Sequence, residues 1–319
     1  MNIDLQIALS FVSKRTKALI ESQNIQAAQC RFDFSSVLHI IFRVNEYNLN
    51  WIFYRRNRSM VLDTPGSAEF YATPVDYRRF ERHRKNGWAK AGYKLRDWLE
   101  HLLSVMHLPN INVLGLYNNH FVFDEIAKLL NGYQVSQCRT YLFFPEESAI
   151  KAATYFPLVK NFHLLRPHLE NQNAFREILI RNFDQFCFGD VFGEPSQLKL
   201  NRLLIANATD IVIHKANLSE KDLFKFVKLW MEGGNPRLRY MELEYSRNIQ
   251  VNLVLERLQC QKLPPDEERL FQRQPCCVID RKTTIKGGYE FSRRKDCVRA
   301  TLHFGHNMET NRLQFVVWD

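Results

Sequence analysis

The residues with the richest potential chemistry are cysteines and histidines in the last fifth of the sequence. The set consists of Cys276, Cys277, Cys297, His303 and His306. Zinc binds cysteine sulfur and imidazole nitrogen in proteins, so these residue types could hold a metal ion. Residues 299–304, however, have the pattern of a β-strand, in which positions three apart point to opposite faces. We therefore predict no metal site here, and no residue pattern elsewhere indicates a cofactor.

Motifs of common enzymes are missing from the chain. The sequence contains no GxSxG nucleophile elbow, no GxxxxGK[ST] phosphate loop, no GxGxxG after a strand and no HExxH helix. Each of these patterns places a reactive or phosphate-binding group in a defined geometry. We therefore predict that the protein is not an enzyme.

Cysteine usage and hydropathy indicate the compartment. Seven cysteines are an odd number and lack the spacing of a disulfide framework, which is typical of reduced thiols in the cytoplasm or nucleus. The longest apolar run, residues 37–42, is far shorter than the roughly 20 residues that span a membrane. We expect an intracellular protein without a membrane segment or signal peptide.

The charge distribution raises one alternative function. The formal net charge is +10, and the densest basic cluster lies in residues 77–98, where eight arginines and lysines alternate with Phe80, Trp88 and Tyr93. Basic and aromatic side chains together could follow a phosphate backbone and stack on bases. Such charge runs are also typical of a solvated loop that leads into a helix. Nucleic-acid binding through 77–98 is thus the alternative to the function developed below.

The clearest structural element is a helix followed by a strand within residues 218–245. Ser219 and Asp222 have the spacing of a helix N-cap and its capping partner, and Trp230 lies on the apolar face of the helix that follows. A group of residues that would end the helix and turn the chain into the strand comes next: Gly234, Asn235 and Pro236. This pattern predicts that the helix and the strand each bury one face.

Similar units recur along the chain. Short alternating strands are predicted at 113–117, 140–143, 162–165, 185–188, 211–213 and 241–245, with helices at 122–130, 147–154, 173–180, 197–204 and 220–231. This period of roughly 22–30 residues is typical of a leucine-rich-repeat plan, in which parallel strands line one side of an arc. We predict an α/β fold, namely a degenerate leucine-rich-repeat-like strand–helix arc with terminal β-hairpins. An ordinary α/β domain is the alternative.

The flanks of this repeat region have a different pattern. Residues 37–42 and 49–54 indicate a β-hairpin, and strands are predicted at 289–292, 299–304 and 313–318 after a loop at Pro264 and Pro265. Four divisions follow: residues 1–24, the hairpin, basic loop and helix of 30–108, the repeat region 109–260, and the β segment 261–319. We expect the flanking sheets to cover the ends of the arc.

Strand alternation predicts a surface on which a partner could bind. The side chains that point away from the helices are Tyr117, Tyr141, His163, Gln185, His214 and Glu242. Their inward neighbours are Leu116, Leu142, Leu164, Phe186, Ile213 and Leu243. Tyrosine is enriched at binding hot spots, so this face is the candidate partner-binding surface.

Several motifs carry a resemblance to a known family. They are Asn182-Phe183-Asp184, Leu203-Leu204 with Asn207, residues 218–223, Trp230 and residues 234–238. Residues 182–245 resemble the type 2 F-box-associated domain of nematode F-box proteins. In addition, residues 7–20 resemble the last helix of an F-box.

The resemblance implies the substrate-recognition subunit of an SCF-type ubiquitin ligase. In such subunits the F-box binds a Skp-type adaptor, which connects to a cullin, and the following domain binds the protein to be ubiquitinated. The sequence resembles only the last F-box helix, so we expect weak adaptor binding unless the F-box is completed. We expect residues 7–20 to pack on the predicted hairpin at 37–54 instead.

Overall fold

Alternating strands and helices build the protein, as a computed structural model shows for residues 3–54, 67–74, 86–118, 120–190, 192–256, 258–273, 282–306 and 311–318. These elements fall into two units, Met1–Val159 and Lys160–Asp319. The predicted mixture of α and β structure is confirmed. The leucine-rich-repeat-like arc and the predicted four divisions of the chain stay predictions.

The first unit combines an antiparallel part with a parallel part. Its helices are α1 (Ile3–Ser10), α2 (Lys14–Glu21), α3 (Leu95–Val105), α4 (Phe123–Leu129) and α5 (Glu146–Tyr155). Its strands are β1 (Gln29–Phe34), β2 (Leu38–Val44), β3 (Tyr47–Phe53), β4 (Ser67–Pro74), β5 (Asn86–Ala89), β6 (Ile111–Leu116) and β7 (Val135–Tyr141). The strand order is β7-β6-β1-β2-β3-β4-β5.

The predicted N-terminal hairpin is confirmed. Strands β2 and β3 pair antiparallel around a two-residue turn in which Asn45 has a φ of 53°, a backbone conformation that asparagine tolerates better than most residues. Strand β1 pairs antiparallel with β2 and parallel with β6, so β1 joins the hairpin to the strand–helix part of the unit.

The second unit begins with a run of strand–helix pairs. Its helices are α6 (Gln172–Leu179), α7 (Leu200–Ile205), α8 (Glu220–Met231) and α9 (Val251–Leu255). Its strands are β8 (Asn161–Leu165), β9 (Gln185–Phe188), β10 (Asp210–Ile213), β11 (Tyr240–Tyr245), β12 (Gln261–Gln272), β13 (Lys282–Ser292), β14 (Arg299–His306) and β15 (Asn311–Trp318). The strand order is β8-β9-β10-β11-β15-β14-β13-β12.

Strands β8 to β11 are parallel neighbours in chain order, as a strand–helix repeat requires. The final strand, β15, then pairs antiparallel with β11, and β14, β13 and β12 follow it as an antiparallel meander. The predicted C-terminal strands are confirmed. They do not form a separate sheet, because β15 continues the parallel one.

The N-terminal segment differs from its prediction. The expected single helix at residues 7–20 is two helices, because Ser13 caps α2 and its hydroxyl accepts a hydrogen bond from the Thr16 N–H. Between them, Phe11 stacks on His101 of α3, with ring centroids 3.9 Å apart. Ser10 Oγ also lies 2.8 Å from His101 Nε2. The segment therefore packs on α3; its packing on the hairpin stays a prediction.

Two further local predictions are wrong. Pro264 and Pro265 lie inside β12, where the pairing register with β13 shifts between Leu263 and Glu268. Proline has no backbone N–H to donate to a neighbouring strand, and residues in such an irregularity need not donate one. Both prolines can therefore lie within the strand instead of forming a loop. The strand predicted at 140–143 lies earlier, as β7, and Leu142 is 41% exposed in the following turn.

Candidate protein-interaction surface

The parallel register places the predicted surface residues of the second unit on one face. Cys187 of β9 lies opposite His163 of β8 and opposite Val212 of β10, and Val212 lies opposite Glu242 of β11. Residues two apart on a strand share a face, so Gln185 and His214 join His163 and Glu242. On the opposite face, the predicted inward residues Leu164, Phe186, Ile213 and Leu243 are buried.

In the first unit, Tyr117 and Tyr141 also share a face. Their rings stack with centroids 4.0 Å apart and an interplanar angle of 12°, and both residues are half-buried. Arg31 donates a hydrogen bond to the Tyr117 hydroxyl and a second one to Asp33 Oδ1 at 2.9 Å. Burial raises the pKa of Tyr117 above its usual range. The tyrosine pair is thus a fixed aromatic platform in which the Tyr117 hydroxyl is neutral.

Gly115 makes this platform possible. A Cβ at this position would collide with the Asp33 carboxylate and the Tyr117 ring. The absence of a side chain at Gly115 therefore leaves room for the Asp33 carboxylate, and hence for the Arg31–Asp33 ion pair, beside the two tyrosines. Any larger residue would displace the carboxylate that orients Arg31.

The C-terminal strands cover part of the corresponding face in the second unit. Tyr240 of β11 stacks on Phe271 of β12, with ring centroids 5.7 Å apart, although β15, β14 and β13 separate these strands in the sheet. The sheet must therefore curl. Ile285, Val316 and the partly buried Trp318 complete this apolar cluster. On this face Gln185 is 4% and Glu242 is 6% exposed, whereas His163 and His214 are half-buried.

Beside the apolar cluster, the curled sheet forms a pocket of about 540 Å³. Its lining is mostly polar and charged: Val212, His214, Glu242, Glu244, Arg273, Lys282, Thr283, Thr284, Gly305, Arg312 and Gln314. A concave site with convergent polar groups is the usual form of a ligand-binding site. It belongs to the same face as the predicted partner-binding residues.

Arg273 is the most buried cation of this pocket, at 5% exposure. Its guanidinium lies 4.0 Å above the Tyr240 ring, 3.5 Å from Asp210 Oδ2 and 3.6 Å from Glu242 Oε2. Among the described residues, its Nε and Nη2 atoms have no hydrogen-bond partner. Burial raises the pKa of Asp210 to about 6, although Arg273 opposes that shift. Arg273 is therefore held beside the pocket by two buried carboxylates and an aromatic ring.

His214 connects the pocket to β9. Its Nδ1 lies 2.6 Å from Glu244 Oε2, and its Nε2 lies 3.2 Å from Cys187 Sγ. Burial lowers the pKa of His214, but the hydrogen bonds to Cys187 and Glu244 outweigh burial and raise it to about 10. Burial raises the pKa of Glu244, whereas the His214 bond and Arg312 lower it, with a net lowering. At neutral pH His214 is therefore a cation held between sulfur and carboxylate.

The predicted structural motif positions this face. Ser219 and Asp222 form the capping box of α8, and Trp230 is fully buried. The Trp230 ring meets Phe315 of β15 and Phe291 of β13 edge-on, with centroids 5.2 and 5.9 Å away. The helix thus packs on the C-terminal strands as well as on its own strand–helix unit.

The turn after α8 has a role that the sequence did not reveal. Gly234 is tightly placed, since a Cβ there would lie 2.9 Å from the Leu229 carbonyl oxygen. Asn235 adopts a φ of 45°, and its side-chain amide donates to the carbonyls of Leu203 and Ala206 at 3.2 and 3.0 Å. Pro236 follows in the turn. Asn235 therefore connects α8 to the end of α7.

Neither a metal site nor the nucleic-acid alternative gains support from the geometry. Cys276, Cys277 and the His306 side chain lie outside the described residues, and within the described part no group of three or more metal-binding side chains forms a site. Of the basic segment 77–98, the structure describes 86–98.

No helix among the described residues is long and apolar enough to span a membrane.

Comparison with known protein families gives one finding. Residues 174–243 match the family described as F-box associated. The matched stretch runs from α6 to β11 and includes the strands that present Gln185, His214 and Glu242. No curated protein and no solved structure matches the chain. The predicted F-box-associated domain is thereby confirmed for this stretch, while the nematode origin and the F-box helix stay predictions.

Proposed function

We propose that the chain is a protein-interaction module that recognises the substrate of an SCF-type ubiquitin ligase. The observation that carries this proposal is the F-box-associated match at 174–243, because it covers the strands of the polar face. F-box-associated domains follow the adaptor-binding F-box and imply a protein partner. A cytoplasmic or nuclear protein target is consistent with free thiols at all described cysteines.

The proposed binding residues are the stacked Tyr117 and Tyr141 in the first unit and, on the polar face of the second unit, His163 and His214. In a leucine-rich-repeat-like arc, these side chains would line the side that the helices leave open. The stacked tyrosines offer rigid apolar area with little entropy to lose on binding. The histidines and the pocket beside them add polar selectivity.

In this proposal the Skp-type adaptor and the cullin bind through a complete F-box. Residues 7–20 resemble its last helix alone. The Phe11 ring, one of the apolar groups on this segment, is already packed against His101 and Trp98, with centroids 3.9 and 4.7 Å away. A side chain engaged in this way contributes little new apolar burial to an adaptor interface. We expect residues 7–20 alone to bind the adaptor weakly and a complete F-box to bind it tightly.

The test is capture of the target from native extract. The tagged chain, a Tyr141→Ala His163→Ala variant and a Lys225→Ala Lys228→Ala control would each be used, with partners identified by mass spectrometry. The control lysines lie exposed on α8, away from the proposed face. We expect the parent and the control to retain the same partner and the face variant to lose it by tenfold or more, as for a hot spot of about 2 kcal/mol.

Two results would contradict the proposal. Equal capture by the face variant would remove the binding role of these residues. A captured nucleic acid whose affinity falls by about 10³ between 50 and 200 mM salt would favour phosphate-driven binding. A protein interface with an apolar centre should persist over the same salt range.

A further inference from the structure

The turn between α4 and β7 places an asparagine directly before a glycine. Asn131 and Gly132 are both exposed in this turn. Glycine lacks a Cβ, so its backbone nitrogen can be approached without a steric barrier and its dihedral angles are freer than those of other residues. A Cβ at Gly132, whose φ is 87°, would meet no atom of the described chain beyond its neighbours within 4 Å. The turn is therefore open around this pair.

The two groups of this pair that can react with each other are both unengaged. Among the described residues, neither the Asn131 side-chain amide nor the Gly132 N–H has a hydrogen-bond partner. The turn is held instead by the Asn131 and Tyr133 N–H groups, which donate to the Lys128 and Leu130 carbonyls at 3.3 and 3.0 Å. Attack of the Gly132 nitrogen on the Asn131 side-chain carbon closes a five-membered ring, and such intramolecular proximity lowers the barrier.

Arg96 of α3 polarises the carbonyl group that joins the pair. Its Nη1 donates to the Asn131 carbonyl oxygen at 2.8 Å and to the Leu129 carbonyl oxygen at 2.6 Å. The guanidinium is fixed there, because its Nε donates to Glu100 Oε1 at 2.6 Å and its Cζ lies 4.4 Å from the Tyr133 ring centroid. A cation that donates to a carbonyl oxygen draws electrons from the attached amide nitrogen, which makes that N–H more acidic, and it stabilises negative charge developing on the oxygen.

The chain contains a second asparagine–glycine pair, in a different environment. Asn86 and Gly87 lie in β5, opposite Phe70 and Glu69 of β4. Strand pairing fixes the backbone dihedral angles, and ring closure must change them, so the strand has to open before this pair can react. The second pair therefore provides an internal comparison for the pair in the turn.

We propose that Asn131 is a site of spontaneous deamidation and that Arg96 directs its product to isoaspartate. The Gly132 nitrogen gives its proton to water and bonds to Asn131 Cγ, and the side-chain nitrogen leaves as ammonia, which yields a succinimide ring. Water then attacks one of the two ring carbonyls and breaks its C–N bond. One water is consumed and one ammonia is released, so atoms and electrons balance without an oxidant.

The position of Arg96 selects the ring carbonyl that is hydrolysed. Arg96 contacts the main-chain carbonyl of Asn131, so the oxyanion that develops during attack there is stabilised. Breaking this C–N bond leaves the chain connected through the former side chain, which is an isoaspartyl linkage, and converts the main-chain carbonyl into a free carboxylate. That carboxylate forms beside the guanidinium, and an arginine–carboxylate pair is stronger than a bond to an uncharged carbonyl.

The test follows both asparagine–glycine pairs in one sample. The intact chain would be incubated in mildly alkaline buffer, digested at acidic pH to suppress further reaction, and analysed by chromatography and mass spectrometry against synthetic aspartyl and isoaspartyl peptides. We expect Asn131 to deamidate at least about tenfold faster than Asn86, the factor that a strand-opening free energy of about 1.4 kcal/mol imposes. A peptide of residues 126–137, which lacks Arg96, gives the unfolded reference. The native chain should give a higher ratio of isoaspartate to aspartate than this peptide.

Two variants separate the role of Arg96 from exposure alone. Arg96→Gln keeps a polar side chain without the charge, and it should slow deamidation of Asn131 by about tenfold, less than the 10²–10³ lost with a water-excluded oxyanion donor because this site is solvated. It should also lower the isoaspartate ratio to that of the peptide. Glu100→Gln is the matched control, since it removes the ion-pair partner of Arg96 but not the bond to Asn131, and it should leave the ratio at the parent value.

The proposal is overturned if Asn131 of the native chain stays intact for as long as the free peptide takes to convert, or if it reacts no faster than Asn86. It is also overturned if the native chain and the peptide give the same isoaspartate ratio, because Arg96 then does not direct hydrolysis. These results need no variant to interpret. They leave target capture by Tyr141 and His163 untouched, so they can be distinguished from a failure of the proposed function.

Discussion

Replacing Trp230 with alanine tests whether α8 is anchored through the C-terminal strands. The indole is fully buried between Phe315 and Phe291, with Arg293 5.2 Å from the ring centroid. Removing a buried tryptophan costs about 3–5 kcal/mol through lost apolar burial and the cavity left behind. The indole N–H has no hydrogen-bond partner among the described residues. Removing it therefore removes an unfavourable desolvation free energy, and we expect a loss of stability near 3 kcal/mol, the lower end of this range.

The magnitude translates into a melting shift that is easy to measure. For a unit of this size, each kcal/mol lowers Tm by roughly 2–4 °C, so a loss of about 3–5 kcal/mol predicts a decrease of roughly 6–20 °C. Thermal unfolding followed by circular dichroism, together with urea titration, would give both Tm and the free energy of unfolding. The matched control is Leu229→Ala, one residue earlier and 44% exposed.

We expect the control to change the free energy of unfolding by less than about 1 kcal/mol, because its side chain is largely solvated already. If Trp230→Ala melts like the parent, α8 does not depend on this contact. The account of the helix as a packed part of the sheet would then be wrong.

Three further expectations follow from local contacts. Asn235→Ala should cost about 2–4 kcal/mol, because it removes the amide that donates to the Leu203 and Ala206 carbonyls and forces alanine to a positive φ. The Leu203 carbonyl still accepts from the Ala206 N–H. Asn235→Gly should recover the backbone part of the loss in urea titration. Ser219→Ala should cost about 1 kcal/mol through the lost N-cap, measured in the same way. Burial lowers the pKa of His101 to about 4. The unfolded state therefore binds a proton at this histidine more readily than the folded state. Protonation of His101 does not reduce the free energy of unfolding above pH 6.5, but it reduces it progressively as the pH falls toward 4. Urea midpoints at pH 7 and pH 4.5 should differ less in His101→Asn than in the parent, and an equal difference would contradict the assignment.

Local signals in the sequence predicted the strand–helix part of the second unit well. Helix α8 begins and ends where Ser219 and the paired glycines predicted, because its cap and its apolar stripe depend on neighbouring residues alone. Alternation also placed His163, Gln185, His214 and Glu242 on one face, since side-chain direction follows strand parity. These properties require no knowledge of distant contacts.

Features that depend on distant partners could not be predicted. Strand β1 pairs with β6, about 80 residues later in the chain. Likewise, the curl that brings Phe271 over Tyr240 depends on four strands of antiparallel pairing. This curl brings Arg273 to Glu242 and creates the pocket. Side-chain alternation predicts the face of the sheet on which a residue lies, but it does not predict which distant strand packs on that face.

The contacts of His214 with Cys187 and Glu244 illustrate the same limit. The spacing of Cys187, His214 and Glu244 follows the repeat period, so a comparison of successive units could have aligned them. Of these three residues, strand alternation predicted His214 alone, because neither a cysteine in a short strand nor a glutamate near a strand end carries a local signal. The register makes the three side chains meet.

The position of β15 has a consequence for the order in which the protein can be completed during synthesis. This strand comes after all the others described, yet it pairs with β11 and β14 in the interior of its sheet. Until residues 311–318 have left the ribosome, β11 has an open edge with unpaired backbone groups, and exposed strand edges favour aggregation. A premature stop codon shortly before residue 311 would therefore remove an interior strand, and its product should be recognised by chaperones as incompletely folded.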